Sequence, residues 1–209
     1  DLTVRFPPGL VGNPKAVPTC STAQFAADTC PASTAVGTVV VTADATVGIT
    51  LPGVVSPGTV YNMPPVGSEP ARLGIKVRPA PVAGIITFDP ISLISIAKLG
   101  PETGYALETT IPNQPRTATG KDPLLGLPLT ANLSITKVDL NLRGRPGPTP
   151  FLTNPSSCTP GTFSTTAVPY DSGAPSSRST PYTATGCGAL PFSPQASGTI
   201  GAKGFNKKG

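Results

Sequence analysis

The sequence contains no histidine and no tryptophan, and these absences argue against two kinds of functional site. Without histidine, the commonest general base of enzymes is missing and no Ser-His-Asp or Cys-His arrangement can form. Without tryptophan, a sugar-binding platform must rely on tyrosine, which offers a smaller aromatic face. The four tyrosines are scattered along the chain (Tyr61, Tyr105, Tyr170, Tyr182).

Charged residues are also scarce, at 12% of the 209 residues. The few carboxylates are spread thinly, and two pairs remain as candidates for acid–base catalysis, Glu102 with Glu108 and Asp122 with Asp139. Solvated side chains are the simpler interpretation of both pairs. The sequence has no acidic spacing typical of a calcium loop and no glycine-rich phosphate-binding motif. We therefore predict a protein that is not an enzyme, with no catalytic residue, no cofactor and no metal.

The net charge of +5 does not indicate a nucleic-acid partner, because the basic residues are dispersed. Lys203, Lys207 and Lys208 form the one cluster, and a single aromatic residue, Phe205, lies beside them. A surface that stacks bases needs several aromatic side chains among its basic ones. No apolar run approaches the roughly 20 residues of a membrane-spanning helix. We predict neither a nucleic-acid partner nor a membrane span.

Four cysteines are present without any CxxC pair, which favours disulfides over a zinc site. Three pairings are possible, and short loops favour Cys20–Cys30 and Cys158–Cys187. Disulfides are typical of proteins in an oxidising, extracellular compartment. No signal peptide is visible at Asp1, so we expect a secreted or cell-surface chain whose leader has been removed.

The clearest local structure signal lies between the first two cysteines. Ser21 and Gln24 have the spacing of a capping box, which predicts a short helix over Thr22–Asp28. Pro31 prevents its continuation, and Gly37 opens a β-branched run. The stretch therefore predicts a short helix, stapled by a disulfide, that leads into a strand.

Most of the remaining chain alternates between short apolar segments and turn residues, a pattern typical of strands. Ile91–Lys98 also fits a helix, but its β-branched residues favour a strand. Leu129–Arg143 is the longest candidate, and its apolar phase slips by one residue at Thr136-Lys137, which predicts a β-bulge. Turns are expected at Pro52-Gly53 and Pro57-Gly58, and loops at 113–126 and 171–180. The other predicted strands are Leu2–Phe6, Gly37–Ala43, Thr46–Leu51, Thr59–Met63, Arg72–Arg78, Ala83–Phe88, Tyr105–Ile111, Thr162–Val168 and Ser197–Gly204.

These elements predict an all-β protein, an antiparallel β-sandwich with one short helix near its N-terminus. We expect residues 1–209 to form a single domain, with terminal segments available for exchange with neighbouring copies. Asn132-Leu133-Ser134 is an N-x-S sequon on the polar face of the longest strand, so Asn132 is a candidate for glycosylation. The Ser/Thr-rich stretch 164–185 could carry O-glycans, although a polar surface loop is the simpler interpretation.

Several segments around the cysteines resemble a repeat module of large secreted or surface-exposed actinobacterial proteins. The segments are PPGLVGNPKAVPTC, TCPASTAVGTVVV, VYNMPP, FLTNPSSCTPGTFSTTAVPYDS and GCGALPFSPQ, and the resemblance extends over nearly residues 1–195. Tyr170 stands where many of these modules have a tryptophan. The resemblance implies an extracellular location and no assigned activity.

Together these observations favour a non-catalytic extracellular structural subunit whose copies assemble into a pilus-like filament or a surface layer. Copies of the chain would be the partner, joined by apolar patches and by strand addition at a sheet edge. The alternative is a monomeric cell-surface adhesin or carbohydrate-binding module, with surface glycans as its partner. Two or three tyrosines on one exposed face would favour that alternative.

Overall fold

The computed structural model describes residues 1–81, 86–122, 126–170 and 173–187. It contains one α-helix, α1 (Thr22–Ala26), and two single 3-10 turns, Ala32–Thr34 and Pro101–Thr103, among these residues. The strands are β1 (Leu2–Arg5), β2 (Val11–Gly12), β3 (Ala35–Val47), β4 (Ile49–Met63), β5 (Arg72–Val77), β6 (Thr87–Phe88), β7 (Ile91–Lys98), β8 (Glu108–Ile111), β9 (Thr117–Lys121), β10 (Pro128–Leu142), β11 (Leu152–Thr153), β12 (Gly161–Ala167) and β13 (Ser176–Tyr182).

Eleven of these strands form one antiparallel sheet in the order β13-β12-β1-β8-β7-β5-β4-β3-β10-β9-β6. The sheet curls into a half-barrel, so its concave side encloses a core and its convex side faces outward. Strands account for 50% of the structure, and the predicted all-β, antiparallel class is confirmed. The remaining two strands, β2 and β11, form a small separate pair.

The concave side holds the main apolar core, which alternate residues of the central strands build. Val39, Val60 and Ile75 are almost fully buried there, and Phe151 packs on the same cluster from outside the sheet. Asn62 lies two residues after Val60, on the same face of β4, and is also fully buried. Its Nδ2 donates to the carbonyl oxygens of Pro14, Val17 and Pro18 at 2.8, 3.1 and 3.3 Å, which fastens the N-terminal loop to β4.

The convex side is covered at one place by the helix. Its capping box is formed, because the Gln24 amide donates to Ser21 Oγ at 3.2 Å and the Ser21 amide donates to Gln24 Oε1 at 3.0 Å. Phe25 packs with Tyr61 and Met63, and a Cβ on Gly74 would lie 2.6 Å from its ring atom Cε2. Only glycine therefore lets the phenylalanine approach β5 this closely.

The two long central strands differ from the sequence prediction in their turn. The structure has one hairpin whose turn lies at Gly48 in the left-handed region (φ 72°), so the predicted strand Thr46–Leu51 spans the turn. The turns predicted at Pro52-Gly53 and Pro57-Gly58 are wrong, because all four residues lie within β4. Over Ile49–Pro57, β4 pairs only with β3 among the described residues. The Pro57 carbonyl accepts from the Arg78 amide at 2.8 Å just beyond β5. Proline is tolerated in such a segment because a strand that is paired along one side only does not need every backbone N–H.

Two predicted loops and one predicted strand also need correction. Thr117–Lys121 lies in the predicted loop 113–126 but forms β9 against β10, and Ser176–Tyr182 lies in the predicted loop 171–180 but forms β13 against β12. The strand predicted at Tyr105–Ile111 begins only at Glu108. Ile91–Lys98 is confirmed as a strand. The strand Ser197–Gly204, the lysine cluster at 203–208 and the first half of Ala83–Phe88 lie outside the described residues, and the second half contains β6.

Both disulfides are present, with the pairing that short loops favoured. Cys20–Cys30 has a Cα–Cα distance of 5.3 Å and encloses α1, and Cys20 itself is fully buried against Phe25. Cys158–Cys187 has a Cα–Cα distance of 5.7 Å. It closes the β12–β13 hairpin, because one cysteine precedes β12 and the other follows β13.

Candidate interaction groove

The half-barrel leaves a cavity of about 440 Å³ on its concave side. Apolar side chains from the two arms of the curled sheet line it. One arm contributes Leu2 and Val4 of β1 with Phe163 of β12, and the other contributes Val39 of β3 with Val138 and Leu140 of β10. We call this cavity, together with the adjacent edge of β10, the β10 groove.

The edge of β10 lacks a strand partner over most of its length. On one side β10 pairs with β3 over Asn132–Leu142. On the other side it pairs with β9 only over Pro128–Asn132. No strand of the described chain lies against that second side from Ser134 to Leu142. This segment therefore offers unpaired backbone donors and acceptors to an incoming strand.

The side chains of the same segment are divided between the two faces of the sheet by a β-bulge. The register against β3 shifts between Ile135 and Lys137, which confirms the bulge predicted at Thr136-Lys137. The bulge keeps Val138 and Leu140 on the concave face with Ile135. These two side chains are 36% and 41% exposed, which is unusual for the apolar face of a strand.

The opposite face of the segment is polar. Lys137 Nζ lies 2.7 Å from Asp139 Oδ2, and both side chains are more than half exposed. A charged outer face discourages non-specific pairing of an edge strand. The groove thus combines an apolar inner wall, a free backbone edge and a charged outer rim.

Other strand edges in the described chain are shorter than that of β10 or contain proline, and β7 lacks a partner on one side only over Ile91–Ser95. The free part of β4 contains Pro52 and Pro57, and the outer strand β13 contains Pro181. The other outer strand, β6, has only two residues. Proline and short length both hinder strand addition. The segment Ser134–Leu142 is the long edge without proline among the described residues.

Asn132, the candidate for glycosylation, lies in β10 just before this free edge. Its side chain is exposed, while its backbone is paired with both Thr46 and Thr117. An acceptor asparagine needs an accessible side chain, and this one has it. Glycosylation of Asn132 stays a prediction.

Lys76 is the one buried cationic side chain among the described residues. It is 2% exposed beneath the helix, its Nζ donates to Ser92 Oγ at 2.8 Å, and it lies 4.6 Å from the centre of the Phe25 ring. Burial lowers the pKa of this ammonium, although the carboxylate of Asp28 acts in the opposite direction. Asp28 itself pairs with Arg78 at 2.7 Å. The cluster is a charge network that supports the helix, and it lies on the face opposite the groove.

The candidate carboxylates lie in different parts of the fold, and Asp122 comes directly after β9. Glu102 lies in the 3-10 turn before β8 and Glu108 in β8, while Asp139 pairs with Lys137. Arg72 binds the separate carboxylate of Glu69 through two hydrogen bonds of 2.8 and 2.6 Å, and hydrogen bonding to this guanidinium lowers the pKa of Glu69. Within the described ranges, no three of the His, Cys, Asp and Glu side chains lie close enough to hold a metal ion.

The tyrosines do not share one exposed face. Tyr61 is buried under the helix, and Tyr182 packs edge-on against Phe163 with ring centres 5.3 Å apart. Tyr105 and Tyr170 are exposed, but they lie beyond opposite ends of β1. Tyr170 faces Arg116 at the rim of an open, partly polar cavity of about 420 Å³.

None of the helices in the described chain has the length and hydrophobicity needed to span a bilayer. Comparison with known proteins gives no match among protein-family models, among curated proteins or among solved structures.

Proposed function

We propose that this protein is a non-catalytic, extracellular structural subunit whose copies assemble into a surface filament or a surface layer. The observation that carries the proposal is the β10 groove, in which a free strand edge runs beside an apolar cavity. An unpaired edge is a template for pairing with another chain, and strand addition satisfies it with backbone hydrogen bonds. The same strand would cover Val138 and Leu140.

Three further features support the proposal. Two disulfides suit an oxidising compartment outside the cell. The low content of charged residues suits a chain whose faces are covered by other copies, because charges are depleted at the centre of protein interfaces. The resemblance to modules of secreted actinobacterial proteins indicates the same location.

The alternative, a monomeric adhesin or glycan-binding module, draws on one observation. The cavity beside Tyr170 and Arg116 is open and partly polar, as a sugar site requires. It offers one exposed aromatic ring, whereas the β10 groove offers a whole strand edge. The structural subunit is therefore the better supported of the two functions.

The test is the size of the native protein in solution with its disulfides intact. Light scattering after size exclusion, over a concentration series, is expected to show oligomers that grow with concentration, and negative-stain images should show a regular repeat. A chain that stays monomeric up to about 1 mM would overturn the proposal. A Kd weaker than that corresponds to a free energy of association of less than about 4 kcal/mol. Glycan binding by such a monomer would support the alternative.

A further inference from the structure

We infer that helix α1 is a redox-controlled lid over Lys76, which the disulfide Cys20–Cys30 keeps closed. A dithiol that reduces this disulfide releases the helix and makes the amine of Lys76 accessible to electrophiles in solution. Three features of the described residues carry this inference, and none of them depends on assembly of the copies. They are the cover over Lys76, the attachment of the helix, and the unequal exposure of the two cysteines.

The aromatic ring of Phe25, a residue of the helix, lies over Lys76. The neighbours of Lys76 across the sheet, Thr59 on β4 and Ser92 on β7, have short side chains. The centre of the Phe25 ring lies 4.6 Å from Lys76 Nζ, and the same ring packs against Gly74 on the same face of β5. Lys76 is consequently only 2% exposed. Departure of the helix would uncover it.

The helix is too short to be stable without its attachments. It has five residues, and an isolated helix of fewer than about 12–15 residues is marginal in water. Phe25 packs against Tyr61 and Met63. Asp28, just after the helix, pairs with Arg78 at 2.7 Å, but both side chains are partly exposed, so this ion pair contributes little. The disulfide is therefore an important part of the attachment.

The disulfide connects the C-terminal end of the helical segment to an anchored point on the sheet. Cys20 is fully buried, and its amide donates to the Asn62 carbonyl of β4 at 2.8 Å. Cys30, which follows the helix, is only partly buried. While the disulfide is closed, an opened helix stays confined to a loop whose ends are 10 residues apart in the sequence. Loop-closure entropy predicts that reduction favours opening on the order of a hundredfold.

The unequal exposure of the cysteines also determines how the disulfide opens. One thiolate of the dithiol attacks the Sγ atom of Cys30, the more exposed of the two residues. The S–S bond breaks, and Cys20 leaves as a thiolate that takes up a proton. The second thiol of the reductant then attacks the mixed disulfide, which releases Cys30 as a thiol and leaves the reductant as its own disulfide. Two electrons thus pass from the reductant to the two cysteines, and an oxidising compartment closes the lid again.

Acetylation of lysine side chains tests the lid in the wild type. The protein is left oxidised or reduced with dithiothreitol, and it then receives a short pulse of N-acetoxysuccinimide in oxygen-free buffer. Peptide mass spectrometry measures the acetylation rate of each lysine. Reduction should increase the rate at Lys76 on the order of a hundredfold. The Cys158→Ala/Cys187→Ala variant should show the same increase, which assigns the effect to the disulfide beside the helix.

Two controls accompany the pulse. The side chain of Lys137 is 64% exposed, so its acetylation rate should be the same with and without reductant. Phe25→Ala removes the cover while the disulfide stays closed, and it should increase the rate at Lys76 in the oxidised protein. Hydrogen exchange of the backbone amides of β3 and β4 reports whether the central sheet stays folded during the pulse.

The outcomes separate opening of the lid from unfolding of the protein. Fast acetylation of Lys76 after reduction, with the amides of β3 and β4 still protected, supports the inference. Equal rates at Lys76 in the oxidised and the reduced protein overturn it, because the disulfide then does not hold the lid. Loss of amide protection together with acetylation also overturns it, because global unfolding then exposes Lys76. The reduction of the wild type stays decisive if Phe25→Ala fails to fold.

Discussion

At the scale of single residues, Lys76 shows how a local environment changes the chemistry of a side chain. The residue belongs to the polar face of β5, where its neighbour Arg78 pairs with Asp28. The helix covers that face, so Lys76 is buried under Phe25 and retains one hydrogen bond, to Ser92. Alternation in the sequence assigns Lys76 to the face opposite Ile75, but only the packing of α1 decides that this face is buried.

We predict that the free energy of unfolding increases as the pH rises towards 10.5, because Lys76 is buried. Burial lowers the pKa of the folded-state ammonium, whereas the unfolded chain keeps the ordinary value near 10.5. Between the two values the unfolded chain holds more protons, so the free energy of unfolding increases with pH. Urea unfolding at several pH values between 7 and 10.5, followed by circular dichroism, measures the increase.

Comparison with two variants isolates the effect from other titrating groups. Lys76→Met should remove the increase and leave the stability at pH 7 equal or higher, because methionine fills a similar volume without a buried charge. Lys137→Met should keep it, because Lys137 is 64% exposed on its side chain. The prediction would be contradicted if the free energies of unfolding of wild type and Lys76→Met changed in parallel over the whole pH range.

At the scale of elements, the bulge in β10 decides which side chains reach the groove. On either side of Thr136 the apolar residues occupy opposite phases of the sequence, yet both sets line the concave cavities. A regular strand would turn one of the two sets outward, because a shift of one residue exchanges the faces. The single extra residue therefore maintains one apolar wall along the whole strand.

Deletion of Thr136 is expected to keep both apolar sets on the concave face, because Lys137 would then follow Ile135 directly and the residues alternate without a slip. Insertion of one alanine after Thr136 adds a second extra residue and is expected to destabilise the fold by more than about 3 kcal/mol, because it would turn Lys137 and Asp139 towards the core or Val138 and Leu140 towards solvent. Thermal unfolding followed by circular dichroism measures the loss. Thr136→Ala is the control: it removes the 3.2 Å hydrogen bond from Thr136 Oγ1 to the Thr42 carbonyl and should cost about 1 kcal/mol. If the insertion variant is as stable as the control, the number of residues at the bulge does not decide which side chains face the groove.

The elements that could be predicted from the sequence are those with a complete local signal. The capping box of Ser21 and Gln24 and the phase slip of β10 are both visible in a few neighbouring residues. The turns predicted at Pro52-Gly53 and Pro57-Gly58 are wrong, because both prolines lie within β4. Proline interrupts a strand that is paired on both sides, but an edge tolerates it. β13 is rich in serine and forms because β12 pairs with all of it. Its partner, not its own composition, determines its structure.

At the scale of the whole molecule, the groove could be predicted only in part. The alternation of the sequence after Thr136-Lys137 predicts that Val138 and Leu140 share one face of a strand, and both line the groove. Their exposure depends on how far β9 extends along β10, and on the distance between the arms of the curled sheet. Both are properties of the assembled sheet, because strand order joins residues that are distant in the sequence.

The two disulfides act on different parts of this molecule, so their removal should have unequal effects. From loop length alone, Cys158–Cys187 should contribute more, about 3.6 against about 2.7 kcal/mol. Cys20, however, is fully buried with Phe25 and Met63, whereas Cys158 is exposed. Replacing Cys20 and Cys30 by alanine would also open a hole beneath the helix, which adds a cost for the lost packing.

We therefore predict that the Cys20→Ala/Cys30→Ala variant is less stable than the Cys158→Ala/Cys187→Ala variant, by about 1 kcal/mol. Urea unfolding of the two variants and the wild type at one pH, followed by circular dichroism, gives the order. Wild type under full reduction is the control and should lose both contributions. If the Cys158→Ala/Cys187→Ala variant is the less stable one, loop length outweighs burial. The packing of Cys20 with Phe25 and Met63 then contributes less to the stability of the half-barrel than its burial indicates.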